Sequence, residues 1–196
     1  MGKTESLHNN LDIICLIGGK CGSTTLLETF KFQGFNCIKC HNHWDFISQF
    51  GYDGLYKSIE DSSKNKKVYI IDVYRTPIER KISSFFERIS KKIPNYKNKN
   101  IEELINIFNT EYLNNIEEYH PLDSIMMELG SDSFNSFDFN KRYVKKEKGN
   151  LIFIKILFSD SKDWGEILSE IFNKKIIIQN KNLSQDKEYH LIYEAT

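Results

Sequence analysis

Two stretches of this chain carry residues whose types and spacing suit anion chemistry. The segment Ile13-Ile14-Cys15-Leu16-Ile17-Gly18-Gly19-Lys20-Cys21-Gly22-Ser23-Thr24-Thr25 passes from a short apolar run into a glycine-rich turn and then into hydroxyl residues. Such a turn aims backbone N–H groups, a lysine ammonium and the positive end of the next helix at one anion. In the second stretch, Val68 to Phe86, an apolar run ends at Arg75, and Ser83 stands two helical turns further on. Arginine is sparse here beside lysine: only Arg75, Arg80, Arg88 and Arg142 occur, and the first three fall within the one strand-to-helix segment that this stretch opens. That is the pattern expected where planar, bidentate binding is needed. Arg80 and Arg88 read as helix salt-bridging residues, Arg75 as the anion ligand. Taken together, the two stretches point to a nucleotide bearing phosphates at both ends.

The elements that must position these residues follow from periodicity. Leu11 to Ile17 is a buried strand, and a helix from Ser23 to about Gln33 turns Leu26, Leu27 and Phe30 inward until Gly34 stops it. Phe35 to Cys40 reads as a second strand, and Trp44 to about Ser62 as a helical region interrupted near Gly51 to Gly54. Val68 to Tyr74 is a third strand. Thr76-Pro77-Ile78-Glu79 then opens a helix with an N-cap, a proline at the first position and a capping box. Its core stripe is Ile78, Ile82, Phe85, Phe86 and Ile89, which leaves Ser83 off the stripe.

Beyond it, Pro94 to Asn100 reads as a mobile polar loop, and Ile101, Leu104, Ile105, Phe108, Leu113 and Ile116 repeat at helical spacing. Pro121 to Leu129 is a short helix. Gly130 to Gly149 reads as an irregular covering segment outside the core. Leu151 to Leu157 is a fourth strand, Asp163 to Phe172 a helix and Lys175 to Ile178 a fifth strand. A last helix breaks off at Thr196, as a shortened chain would. The expected architecture is therefore α/β: a three-layer α/β/α domain over 1–196, with a central parallel sheet of about five strands and a helical insertion at about 94–149. In such sheets ligands sit beyond the carboxyl ends of the strands. Lys20, Arg75, His41 and His43 all follow such ends.

Composition narrows the partners. With 27 basic and 27 acidic residues, the chain carries no global field to attract nucleic acid or an anionic membrane, so an anion site must be local. No apolar run reaches membrane-spanning length, and Met1 to Asn10 lacks a signal-peptide core, so a cytoplasmic setting is expected. Met1 to Ser6 fits the loose myristoylation pattern, which is too short to carry weight. Cys15, Cys21, Cys37 and Cys40 read as reduced, buried thiols on a central strand region. The run Cys37-Ile38-Lys39-Cys40-His41 imitates a haem-attachment or, with His43, a zinc motif. However, alternate side chains of a strand point to opposite faces and cannot converge on one metal, and no metal is expected.

The glycine turn departs from the nucleotide triphosphatase loop, because its lysine precedes the last glycine. The second stretch, Arg75-Thr-Pro77-Ile-Glu-Arg80-Lys-Ile-Ser83-Ser-Phe85, matches the form Arg-x-Pro-x-x-Arg-x-x-Ser-x-Phe at every fixed position. In these two segments the chain resembles the sulfotransferases that use 3′-phosphoadenosine 5′-phosphosulfate. More loosely, it is similar to their branch associated with capsular polysaccharide synthesis. The resemblance implies a P-loop-type sulfotransferase fold and transfer of a sulfuryl group to a hydroxyl of a carbohydrate or polysaccharide. It implies that Gly18, Gly19, Lys20, Cys21, Gly22, Ser23, Thr24 and Thr25 cradle the 5′-phosphosulfate, that Arg75 and Ser83 hold the 3′-phosphate, and that a loop around Lys181 covers the adenine.

Lys20 suits the leaving phosphate, and His41 or His43 suits removal of the acceptor proton, with Glu79, Glu87 or Asp45 as carboxylate alternatives. Where many relatives have Glu-Asp-Leu after the fourth strand, this chain has Leu157-Phe158-Ser159-Asp160. Two other readings are a P-loop small-molecule kinase and a catalytically silent relative that binds a nucleotide or glycan.

Overall fold

In a computed structural model, residues 10–42, 45, 48, 51–113 and 120–179 are described. They group into two units, 10–74 with 120–179, and 75–113.

The first unit is built on a five-stranded sheet: β1 (Ile13–Leu16), β2 (Cys37–Cys40), β3 (Val68–Tyr74), β4 (Tyr143–Lys148) and β5 (Leu151–Leu157), in the order β2-β1-β3-β5-β4. The first four in that order run parallel, and β4 pairs antiparallel with β5. Because β1, β3 and β5 are apolar on both faces, both faces must be covered. Ile13, Cys15, Ile71, Val73, Ile154 and Ile156 pack with Leu26 and Phe30 of α1 (Ser23–Phe32) and with Trp164, Ile167 and Leu168 of α6 (Trp164–Phe172). Ile14, Leu16, Ile70 and Phe153 pack with Ile59 of α2 (Tyr52–Ser63) and with Leu122, Ile125 and Met126 of α5 (Pro121–Glu128). The unit is thus helix, sheet and helix in three layers.

Several sequence expectations need correction here. The segment read as irregular, Gly130 to Gly149, contains β4, so the sheet is mixed instead of wholly parallel. β4 reads Tyr-Val-Lys-Lys-Glu-Lys and is half-exposed, the charged composition by which edge strands avoid pairing with other chains. Lys175 to Ile178 joins no ladder. Its backbone is held by side chains: Ile176 N–H donates to Ser169 Oγ at 2.8 Å, and Gln179 N–H to Thr29 Oγ1 at 2.9 Å. β2, which carries Cys37 and Cys40, lies at the edge of the described sheet, although all four thiols are buried as expected. Burial pushes the Cys37 thiol up to about 11 and that of Cys40 to about 12, and raises Cys15 as well.

The second unit begins with α3 (Pro77–Lys92), followed by α4 (Ile101–Ile107), which passes into a π-helical turn at Phe108–Tyr112. Its core is Phe85, Phe86, Ile89, Tyr96 and Leu104. Ile78, expected in the stripe, is half exposed, since the first turn of α3 precedes the part that meets α4 and the π turn. Pro94 to Asn100, expected as a loop, contains a short turn of helix. Tyr96 is buried within a 3₁₀ turn, and Asn100 caps α4 in a capping box with Glu103.

Candidate functional site

The glycine turn connects β1 to α1 at the carboxyl end of the sheet. Lys20 adopts φ 69° and Gly22 φ 77°, so two left-handed residues on either side of Cys21 curl the backbone before the helix begins. A left-handed conformation costs an ordinary L-residue roughly 1–2 kcal/mol, and Lys20 holds it nonetheless. Strain of this kind gathers where function fixes a conformation. Gly22 has a second constraint. A Cβ there would lie 2.5 Å from the Trp164 ring, with Phe158 at 3.6 Å, so the floor of the turn is aromatic and tightly packed. Trp164 is itself fixed, donating from Nε1 to the Leu157 carbonyl at 2.9 Å and meeting Phe158 edge-on. The start of α1 has Gly22 as its N-cap, no side-chain cap and no acidic residue in its first turn. The backbone donors of Ser23, Thr24 and Thr25 therefore open a helix whose positive end no carboxylate in that turn offsets.

His41 lies immediately after β2, and its Nδ1 is 3.1 Å from the carbonyl of Ile17, the residue before the glycine turn. A carbonyl only accepts, so Nδ1 carries the proton and Nε2 of the neutral ring is an acceptor. The backbone N–H of His41 donates to Asp45 Oδ2 at 3.1 Å, and Asp45 N–H donates to Asn42 Oδ1 at 2.6 Å. Asp45, a carboxylate alternative for the base, is thus committed to holding the turn that carries His41. His43 and Lys181 lie outside the described residues.

In the second unit Arg75 is buried and Ser83 partly so. The expected capping box is present. Thr76 Oγ1 accepts from Glu79 N–H, and the Glu79 carboxylate accepts from the Thr76 backbone and hydroxyl. This ties up the Glu79 carboxylate at the helix start. Glu87, the remaining alternative, is exposed on α3.

A further polar group in the first unit was not anticipated. Asp72 and Lys155 are register partners on β3 and β5, and both are buried on the face toward α2 and α5. Lys155 Nζ bonds Asp123 Oδ2 at 3.0 Å, and His120 Nδ1 lies 3.9 Å from the same oxygen while its ring stacks on Tyr74. Desolvation pushes the Asp72 carboxyl up to about 7, against the favourable pull of Lys155. Asp72 interrupts an otherwise apolar strand, which is the one signal in the sequence that could have revealed this cluster. Trp164 was missed because nothing in its local pattern ties it to a turn more than a hundred residues earlier.

No protein-family model, no curated protein and no solved structure matches this chain.

Proposed function

We propose that the protein is a sulfotransferase that moves a sulfuryl group from 3′-phosphoadenosine 5′-phosphosulfate to a hydroxyl of a carbohydrate acceptor. The observation that carries this reading is the turn between β1 and α1. Its left-handed Lys20 and Gly22 lead into an acid-free helix start, a form suited to a phosphate or phosphosulfate. The Arg-x-Pro-x-x-Arg-x-x-Ser-x-Phe match at Arg75 to Phe85 supports the choice of donor, because a guanidinium and a hydroxyl suit the 3′-phosphate that ATP lacks.

Sulfuryl transfer needs in-line geometry, neutralisation of charge on the bridging oxygen and an acceptor for the hydroxyl proton. Lys20 supplies the charge and the first turn of α1 the N–H and hydroxyl donors. His41 takes the proton at Nε2, since its Nδ1–H is spent on Ile17. That bond also favours His41 over His43, the two having been equivalent in sequence. Arg75 and Ser83 hold the 3′-phosphate and Lys181 contributes to the adenine loop. No metal enters this chemistry. The setting is cytoplasmic.

The kinase reading is weakened by Asp72. A magnesium-holding carboxylate belongs at a strand end and ionised, whereas Asp72 lies inside β3 against Lys155. The test is turnover of the labelled donor with polysaccharide acceptors by the wild type, Lys20→Ala and His41→Ala. Transfer by the wild type that falls at least 100-fold in both variants supports the reading. Phosphoryl transfer from ATP, or sulfuryl transfer indifferent to Lys20, overturns it.

A further inference from the structure

On the side of the sheet covered by α2 and α5, one buried ammonium faces two carboxylates. Lys155 of β5 is in register with Asp72 of β3, and its Nζ donates to Asp123 Oδ2, in the first turn of α5, at 3.0 Å. Asp123 Oδ1 is buried and meets no hydrogen-bond donor among the described residues, so the hold of this carboxylate on the sheet runs through Lys155. The same ammonium lies 5.5 Å from the centre of the Phe134 ring.

The start of α5 brings a third titratable group to the cluster. His120 is the N-cap residue of α5 but makes no side-chain cap. Its ring instead stacks on Tyr74, the last residue of β3, and its Nδ1 lies 3.9 Å from Asp123 Oδ2. The charged groups acting on Asp72 are thus Lys155 from β5, and Asp123 and His120 from α5 and its cap. From β1 and α2 this region receives Ile14, Leu16, Ile59 and Tyr56. Leu122, Ile125 and Met126 supply the apolar docking of α5, which does not change with pH.

The polar contacts do change. In acid, Asp72 is neutral and a protonated imidazole sets a second cation beside Asp123, which then has Lys155 to itself. In alkali the imidazole is neutral, and an ionised Asp72 competes with Asp123 for the one ammonium. Both protons therefore act in the same direction. We propose that this cluster is a pH-sensitive clasp, which draws α5 onto the sheet in acid and loosens it as pH rises. The inference goes beyond the sulfotransferase reading and does not draw on it. Its window follows from burial, which pushes the Asp72 carboxyl up to about 7 from an ordinary 3.8. Opening of α5 returns that carboxyl to water, so the closed form keeps a proton that the open form releases, and the clasp weakens as pH rises from about 4 to about 7.

The test is amide hydrogen exchange of the full chain without ligands, with residues 122–131 read against β5 and corrected for the intrinsic pH dependence of exchange, from about pH 5 to about pH 8. In the wild type the protection of α5 should fall at least about tenfold relative to β5 across this range. Asp72→Asn, which keeps the shape and cannot ionise, should reduce the fall to about threefold or less, and His120→Gln should remove a smaller part of it. Asp123→Asn gives Lys155 no carboxylate on α5 to hold, so α5 should be weakly protected already at the acid end, with a smaller fall. Protection that is flat with pH in the wild type, or equal falls in α5 and β5, overturns the clasp. So does a fall unchanged in Asp72→Asn, or an Asp123→Asn variant that matches the wild type at both ends.

Discussion

The starts of α1 and α3 both follow the carboxyl end of a parallel strand, yet they are finished in opposite ways. α1 opens on a left-handed glycine with no side-chain cap and no acid in its first turn. α3 opens with proline, a closed capping box and Glu79. At the first, no carboxylate in the opening turn offsets the positive end of the helix dipole. At the second, the chain satisfies its own donors and sets a negative charge on them, so any anion bound nearby must be gripped by side chains such as Arg75 and Ser83. The difference teaches that two helix starts that follow parallel strands need not present the same physics to an anion.

Lys20→Gly should have the largest effect. Loss of the ammonium lowers turnover by about 100- to 1,000-fold. Stability measured by urea unfolding stays within about 1 kcal/mol, because glycine relieves the left-handed strain at this position. A variant that unfolded outright would show Lys20 to be structural. Gly22→Ala should cost about 2–3 kcal/mol in the same assay, since the new Cβ meets Trp164 in a backbone conformation alanine disfavours. A neutral outcome would mean that the aromatic floor is looser than described.

The buried cluster on β3 serves as a control on the idea that the chemistry belongs to helix starts. The carboxyl of Asp72 titrates at about 7 in the folded chain against an ordinary 3.8. The folded state therefore retains a proton that the unfolded state releases, and this contribution to stability fades as pH rises from about 4 to about 7. Asp72→Asn should flatten that decline, by a few kcal/mol at most, while leaving nucleotide binding intact. An unchanged pH profile would contradict the assignment. The smallest effect is expected at the closed helix start. Thr76→Ala should lose about 1 kcal/mol of stability and leave turnover unaltered. A large loss of turnover would show that the two helix starts differ less than we argue.

What the sequence made legible was what local physics dictates. β3, with an apolar run broken only by Asp72, has the bounds its pattern predicts, and the Thr76-Pro77-x-Glu79 signature forms the box it spells out. Gly34 ends α1 through a left-handed turn, as its position implied. β4 escaped because a lysine-rich edge strand lacks the apolar alternation by which strands are recognised, although Gly149-Asn150 is a two-residue hairpin signal that could have exposed it. Lys175 to Ile178 misled in the other direction. Ile176 is buried in the core shared with α1 and α6 while Ile177 is half exposed, and the amides of Ile176 and Gln179 find hydroxyls instead of a neighbouring strand. At the candidate site, the sequence named the loop and His41, while His43 lies outside the described residues. The Ile17 carbonyl that fixes the His41 tautomer and the Trp164 beneath Gly22 depend on tertiary contacts that no local pattern encodes.

The central claim is that the protein holds a doubly phosphorylated adenosine by two chemically different sites, and calorimetric titration tests it most directly. Adenosine 3′,5′-bisphosphate, adenosine 5′-phosphate and magnesium ATP are compared on the wild type and on Arg75→Ala. The account predicts that the bisphosphate binds the wild type most tightly and that Arg75→Ala removes about 30- to 100-fold of that affinity, the worth of a charge-assisted pair. Binding of adenosine 5′-phosphate should be nearly unchanged. Tightest binding of magnesium ATP, or a bisphosphate affinity indifferent to Arg75, would contradict it.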